Sequence, residues 1–199
     1  NAVPVSRRDL VCEITLNRPE QRNAMAPELL GAFQQVIDRV KLDREIRCVI
    51  ITGTGANFCS GADFRSSILE RGNELPHEAS FGIYRPFLTI LEVGVPVIAA
   101  MNGHAIGGGF GLGLVCDLRV ANRDARYGAN FARLGLHSGM AISYLLPRIA
   151  GVPRAAELLF TGRIFSGAQA AEMGIANHAV EPGEVLSRAR SLADEIAAC

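Results

Sequence analysis

The stretch Met101–Gly113, MNGHAIGGGFGLG, decides how this chain is read. It follows an apolar segment, Val95–Ala100, with the character of a buried strand. Three consecutive glycines, Gly107, Gly108 and Gly109, then open a segment that reads as helical through Cys116. A strand running into a bare helix N-terminus aims several unpaired N–H groups at one spot. Glycines there let a ligand approach the backbone closely. Such a place stabilises negative charge, either on a bound anion or on an oxyanion formed in a reaction.

Outward from this stretch, short apolar runs alternate with helical patterns. Val11–Leu16 and Cys48–Thr52 read as strands, the second ended by Gly53-Thr54-Gly55, and Pro96–Ala100 and Leu118–Ala121 read as two more. Pro27–Leu42 carries apolar residues at 29, 30, 33, 36, 37 and 40, the spacing of a helix with one buried face. Asn17–Asn23 is polar around Pro19 and reads as a loop. Further helices are expected over Phe64–Asn73, Phe81–Val93, Ala141–Ile149, Arg154–Leu159, Gly167–Met173 and Glu184–Ala198. Strands alternating with helices give an α/β fold. No repeat, low-complexity segment or linker divides the chain, so residues 1–199 are expected to form a single domain.

Composition narrows the function. The chain is 49% hydrophobic and 20% charged, ordinary for a soluble domain with a sizeable core. Formal net charge is zero and no basic stripe is present, which argues against nucleic-acid and membrane-surface partners. No apolar run reaches the ~18–20 residues of a membrane span. The start, NAVPVSRRDL, lacks a signal-peptide layout, so a cytoplasmic protein is expected. The five cysteines, Cys12, Cys48, Cys59, Cys116 and Cys199, are odd in number and lack C-x-x-C spacing; they read as reduced residues, four of them in apolar contexts. No H-E-x-x-H or His/Cys cluster suggests a metal. G-x-G-x-x-G, the P-loop pattern and G-x-S-x-G are all absent, which removes the main support for dinucleotide, nucleoside-triphosphate and serine-hydrolase readings. What remains is two glycine-rich turns, each after a buried strand: TGTGANFCSGAD (Thr52–Asp63) and NGHAIGGG (Asn102–Gly109).

With these turns in place the chain resembles the crotonase superfamily, also called the enoyl-CoA hydratase/isomerase family, over nearly its whole length. ITLNRPEQRNAM (Ile14–Met25) resembles the family's first strand and its CoA-contacting loop. VIITGTGANFCSGADF (Val49–Phe64) and PVIAAMNGHAIGGG (Pro96–Gly109) resemble its two oxyanion turns. CDLRVA (Cys116–Ala121), the Leu134-Gly135-Leu136 step and TGRIFSGAQAAEMGIAN (Thr161–Asn177) continue in register. The resemblance implies a crotonase, or ClpP-like, spiral of repeated ββα units with two roughly perpendicular sheets. It also implies a homotrimer or a dimer of trimers. The family's C-terminal helical segment is not present within these 199 residues.

The resemblance further implies an acyl-CoA thioester as ligand, its carbonyl oxygen held by the backbone N–H groups of Ala62 and Gly108. Coenzyme A would arrive as part of the substrate, with no permanently bound cofactor. Charge grows on that oxygen as an enolate forms, so the two donors favour the transition state. CoA contacts fall at Arg18, Arg22 and Ala24, and at Ser60, Gly61, Asp63 and Arg65. Gly107, Gly111, Phe131 and Leu134 fall around the acyl group. Arg65 suits a CoA phosphate and equally suits a solvated surface. Asp63 reads as satisfying loop N–H groups rather than moving protons.

One departure from the family pattern matters most. A hydratase of this family uses two glutamates, and the matching positions here hold Gly111 and Phe131, neither of which transfers protons. His137, in Leu136-His137-Ser138-Gly139, is an acid/base candidate by type, though a loop histidine is the stronger reading. His104 reads as packing or bonding to backbone. Glu70, Glu74, His77, Glu78, Tyr84 and Tyr127 are further protonatable groups with no distinguishing pattern. Two acids replaced by a hydrogen and a phenyl ring leave a drier pocket that favours an apolar acyl chain over added water. Three readings follow: an acyl-CoA enzyme working through a thioester enolate (isomerisation, decarboxylation or C–C cleavage), a non-catalytic acyl-CoA binder in lipid metabolism, and a structural subunit with a vestigial pocket.

Overall fold

A computed structural model describes residues 1–62 and 76–199, the side chains of 76–80 excepted. The helix expected over Phe64–Asn73, the residues Asp63, Arg65, Glu70 and Glu74, and the side chains of His77 and Glu78 lie outside these. The chain opens with β1 (Val5–Arg8), β2 (Val11–Leu16), α1 (Pro27–Val40), β3 (Cys48–Gly53), β4 (Asn57–Cys59) and α2 (Pro76–Leu88). It continues with β5 (Val97–Met101), β6 (His104–Ile106), α3 (Gly108–Val115), β7 (Leu118–Asn122) and β8 (Arg126–Gly128). It closes with α4 (Ile142–Ala150), α5 (Val152–Thr161), β9 (Phe165–Ser166), α6 (Gly167–Glu172), β10 (His178–Val180) and α7 (Val185–Ala197).

Two sheets result. The larger runs β1-β2-β3-β5-β7-β10 and is parallel apart from the β1–β2 edge; the smaller runs β4-β6-β8-β9. Each of β3, β5 and β7 is followed within a few residues by a short strand of the smaller sheet, β4, β6 or β8, before a helix returns the chain. This is the expected spiral of ββα units.

The central strands read as unbroken apolar runs because both their faces are covered. Val49 and Ile51 of β3 point into one core with Leu29, Phe33 and Ile37 of α1. Cys48 and Ile50 point the other way, into a second cluster with Val185, Ala189 and Ala193 of α7. An ion pair staples α7 to β2: Arg190 Nε and Nη2 donate to the two Glu13 carboxylate oxygens at 2.7 and 2.8 Å.

Differences from the sequence expectation sit at element ends and in short strands. The helix expected over Phe81–Val93 starts earlier, at Pro76, and stops at Leu88, passing into a 3-10 turn over Thr89–Glu92. Pro86 within it removes an N–H donor. Pro182 opens a 3-10 turn before α7, so that helix begins at Val185 rather than Glu184. Strands β1, β4, β6, β8, β9 and β10 carry two to four residues each, too few to show alternation. The cysteines are as expected: four free and buried, with Cys199 exposed. Among the described residues no helix is long and apolar enough to cross a membrane.

Candidate active site

Two parallel strands of the small sheet end side by side, and the site grows from their ends. β4 pairs with β6, Cys59 opposite Ala105. Beyond β4 come Ser60, Gly61 and Ala62; beyond β6 come Gly107 and Gly108. The two turns are welded through glycine. A Cβ placed on Gly61, whose φ is +85°, would stand 2.6 Å from the Ile106 carbonyl oxygen and 3.3 Å from the Gly108 nitrogen. A Cβ on Gly109 would overlap the Cys59 carbonyl. The Gly61 α-carbon therefore lies against the Gly108 nitrogen, and the Ala62 nitrogen follows it directly along the chain.

Among the described residues neither nitrogen has a hydrogen-bond acceptor. Gly108 is the first residue of α3, where an N–H has no partner within the helix. Ala62 bridges to Met25 through its neighbours: the Met25 N–H donates to the Gly61 carbonyl at 2.8 Å. Among the described residues no carbonyl accepts from the Ala62 or Gly108 N–H. Gly107 caps α3 at φ +56°, and its own N–H donates to Gly128 of β8 at 2.9 Å.

Helix α3 is buried throughout and carries glycine at 108, 109, 111 and 113. Four glycines weaken a helix, and tertiary contacts fix this one. Phe110 meets Phe165 of β9 edge to face, centroids 5.6 Å apart. At the other end the buried Arg119 guanidinium donates to the carbonyls of Cys116 (2.6 Å), Gly113 (3.4 Å) and Ile175 (2.6 Å). A cation there answers the negative end of the helix dipole, whose positive end faces the site. Burial lowers the Arg119 pKa from its ordinary value.

The loop before α1 is held by a residue the sequence does not single out. Asn23, fully buried at φ +51°, accepts from the Arg18 N–H (2.8 Å) and donates to the Thr54 (3.0 Å) and Asn57 (2.8 Å) carbonyls. Its only sequence signal is an asparagine in a polar loop, the type that tolerates a left-handed backbone. The Ser60 N–H donates to the Arg22 carbonyl at 3.1 Å, which lashes this loop to the first turn.

The sequence pattern of the enoyl-CoA hydratase/isomerase family matches residues 6–199. The enoyl-CoA hydratase EchA19 of Mycobacterium tuberculosis is 36% identical over 196 residues, covering 98% of this chain and 74% of that protein. The crystal structure of an enoyl-CoA hydratase from Bacillus anthracis superposes with a TM-score of 0.93 at 33% identity, covering all of this chain and 78% of that one. A variant of the ECH2 decarboxylase domain of CurF from Lyngbya majuscula superposes with a TM-score of 0.85 at 30% identity, covering all of this chain and 79% of that one. The chain belongs to the enoyl-CoA hydratase/isomerase family.

In this enoyl-CoA hydratase/isomerase family member the wall beside the two N–H groups is made of bulky side chains. A Cβ on Gly108 would stand 2.5 Å from Met25 Sδ and 3.0 Å from Tyr84 Cε1. A Cβ on Gly111 would overlap the Met140 side chain. Phe131 is buried, its ring edge 3.6 Å from a Cβ placed on Gly107. Met25 and Met140 carry no sequence signal for this role; Met140 lies far along the chain and is held at φ +54°.

The remaining sequence candidates divide. Gly61, Ala62, Gly107 and Gly108 come together, with Ser60 beside them. Ala24 is buried, and Arg22 is exposed in a left-handed conformation. Arg18 pairs with Glu28 at 3.0 Å, and its buried Nη1 has no partner among the described residues. Leu134 is 51% exposed and His137 is also exposed, with no contact tying either to the two nitrogens. His104 accepts from the Arg126 N–H through Nδ1 at 2.9 Å, a backbone-bonding role. Tyr127 is occupied as well: its buried hydroxyl donates to Met101 (2.9 Å) and accepts from the Asn122 N–H (3.1 Å).

Proposed function

We propose that this protein binds acyl-CoA thioesters and stabilises the thioester enolate with the N–H groups of Ala62 and Gly108. The observation that carries this reading is the meeting, at adjacent strand ends, of two N–H groups without a partner among the described residues. Preorganised donors act most strongly on charge that develops during reaction, and loss of one typically costs ~10²–10³ in rate. The α3 dipole adds to the effect at Gly108. Arg18, Arg22 and Ser60 then lie on the side of the nucleotide portion, while Phe131 borders the acyl group.

Gly111 and Phe131 stand where a hydratase of this family keeps its two acids. Met140 already occupies the space a residue-111 side chain needs. The site is thus organised without that acid, and hydration by paired glutamates is not the reaction we assign. One structural neighbour is named a decarboxylase, so the fold itself is not tied to hydration. A second reading, a non-catalytic acyl-CoA binder, is favoured by the exposure of His137, the acid/base candidate. The apolar side chains exposed at Leu134, Leu136, Tyr144, Val152 and Phe160 suit a trimer contact.

Thermal unfolding with acetyl-CoA, crotonyl-CoA and free CoA tests the reading, followed by turnover over a panel of thioesters. Acyl-CoA at 100 times its Kd should stabilise the fold by about 2.7 kcal/mol. No shift with any thioester at millimolar concentration would overturn acyl-CoA binding. A shift with no turnover across the panel would leave the binder.

A further inference from the structure

Arg119 is a buried cation at the end of α3 that faces away from the two oxyanion turns. It lies in β7, where Val120 faces the α7 cluster and Ala121 the larger core. Arg119 shares the Ala121 face and is only 7% exposed. Its guanidinium closes the last turn of α3: Nη1 donates to the carbonyls of Cys116 (2.6 Å) and Gly113 (3.4 Å), and Nη2 to that of Asp117 (3.3 Å). Nε donates to the Ile175 carbonyl at 2.6 Å. The main chain at 119 is fixed as well. Its N–H donates to Asn177 Oδ1 and its carbonyl accepts from the Asn177 N–H, both at 2.9 Å.

The acceptors of the guanidinium are all main-chain carbonyls, so among the described residues no carboxylate cancels its charge by contact. Carbonyls at a helix end need hydrogen-bond donors, and a neutral side chain or water supplies those. A buried cation without an acid partner carries a desolvation cost in addition. A guanidinium nevertheless stays protonated throughout the neutral range. The charge therefore has a cost that end-capping alone does not explain.

Helix α3 gives the charge a use. It has eight residues, about 12 Å at ~1.5 Å each, and Gly108 is the first of them. The helix dipole is positive at the Gly108 N–H and negative at the Cys116 end. An oxyanion at Gly108 is attracted by the first end and repelled by the second. Arg119 neutralises the second. The helix is buried along its whole length, so the field crosses protein rather than water.

We propose that Arg119 is a positioning residue for the oxyanion site: through α3 its charge raises the preference of the Gly108 N–H for an anionic oxygen over a neutral one. This rests on the thioester-enolate reading above. At an effective dielectric constant of about 20, a unit charge ~12–15 Å away favours an anion about five- to tenfold.

Two ligands separate charge from shape. Acetyl-CoA carries a neutral carbonyl, and S-carboxymethyl-CoA carries a carboxylate in that region. Their Kd values are measured by calorimetry for wild type, Arg119→Gln and Arg119→Lys. Arg119→Gln should weaken carboxymethyl-CoA about five- to tenfold and acetyl-CoA by less than about twofold. Arg119→Lys keeps the charge and should restore the wild-type ratio. The ratio should persist in ~0.5 M salt, because a buried charge is poorly screened. Equal weakening of both ligands would make Arg119 merely structural, and no weakening of either would remove it from the site; each result overturns the proposal. A variant that leaves the guanidinium in place guards against misfolding of Arg119→Gln. Asp117→Asn keeps an oxygen for the Val97 N–H, which the carboxylate now accepts at 2.8 Å, and removes a negative charge beside Arg119. It should tighten carboxymethyl-CoA about twofold without affecting acetyl-CoA; no selective tightening also overturns the proposal. Binding of both ligands with a ratio indifferent to these charges sinks this inference alone. Failure of the wild type to bind either ligand sinks the thioester reading with it.

Discussion

The donor side and the acyl side of the proposed site are built by opposite means. On the donor side the working groups are backbone N–H groups, and their positions follow from two parallel strands and three close glycine approaches at 61, 108 and 109. On the acyl side the working surface is side chain: Met25, Tyr84, Phe131 and Met140. The first can be altered only by moving backbone. The second can be rewritten residue by residue without disturbing the sheets. A fold of this kind keeps one piece of electrostatics fixed and leaves the proton chemistry open to change.

The largest expected effect is on the donor side. Gly109→Ala would drive a methyl group into the Cys59 carbonyl, a backbone atom that cannot rotate away. Overpacking costs typically ~1–3 kcal/mol, and more against rigid backbone. We expect a loss of at least about 3 kcal/mol, a melting temperature lower by roughly 6–12 °C for a chain of this size, and loss of acyl-CoA binding. Calorimetry with and without ligand reads both. A drop of less than about 2 °C, well under that range, with binding intact would break the idea that the turns are welded.

Alkaline pH attacks the same region. Burial pushes the Cys59 and Cys116 thiols up to about 12, from an ordinary 9.0. Cys59 ends β4, and Cys116 follows α3. Both stay neutral in the fold at pH 10, whereas in the unfolded chain most would ionise. Their contribution is therefore whole below pH 9 and is lost as pH rises from 9 towards 12. At pH 10 the loss is roughly 1.4 kcal/mol for each thiol. Cys12 and Cys48, pushed up to about 11 by burial, add a similar loss each, so urea midpoints at pH 8 and 10 read four thiols together, and Cys116→Ala should remove about a quarter of that pH dependence. An unchanged midpoint at pH 10 would mean that these thiols are not sealed from water.

On the acyl side the expected change is a gain. Gly111→Glu with Phe131→Glu restores the two acids the family resemblance calls for, but Met140 stands where the new side chain at position 111 must pass. The double variant should not hydrate crotonyl-CoA. Adding Met140→Gly, at a φ of +54° that suits glycine, should raise hydration on the order of 10²-fold over wild type. Equal rates in the double and triple variants would remove Met140 as the obstacle. No hydration in either would place the divergence deeper in the wall.

These contrasts also explain what the sequence could show. Val11–Leu16, Cys48–Gly53 and Leu118–Asn122 are legible because strands covered on both faces are apolar without a break, and α1 is legible from its single buried stripe. The small sheet is not: Asn57–Cys59, His104–Ile106 and Arg126–Gly128 are too short to hold a period. Yet that sheet aligns Ala62 with Gly108. The two turns are visible as glycine clusters, while their proximity depends on pairing between strands far apart in the chain, a long-range fact. Asn23 works through three hydrogen bonds and leaves no hydrophobic trace. Met140 opposite Gly111 is a matter of packed volume, which one-dimensional pattern does not carry.

The smallest effect tests where backbone and side chain part company within one residue. The Arg22 carbonyl accepts from Ser60 and so belongs to the donor side, but its guanidinium is exposed and has no partner among the described residues, which on the proposed reading suits it to a CoA phosphate. Arg22→Ala removes the charge and keeps the carbonyl. Because φ at 22 is +56°, alanine inherits the same backbone strain as arginine, and stability should stay within about 0.5 kcal/mol. An exposed ion pair is worth ~0.5–1 kcal/mol, so KM for an acyl-CoA should rise roughly two- to fivefold at low salt, with kcat unchanged. Near ~0.5 M salt, where screening shortens to a few ångströms, the two proteins should converge. Arg22→Gly separates the parts further: it loses the same charge but relaxes the left-handed backbone, whose cost of ~1–2 kcal/mol exceeds the ~0.5–1 kcal/mol that glycine loses in entropy on folding, so it should be more stable than Arg22→Ala. If Arg22→Ala lowered kcat as well, the side chain would be positioning the first turn. The division between a fixed backbone and a free side chain would then fail at the residue where the two are closest.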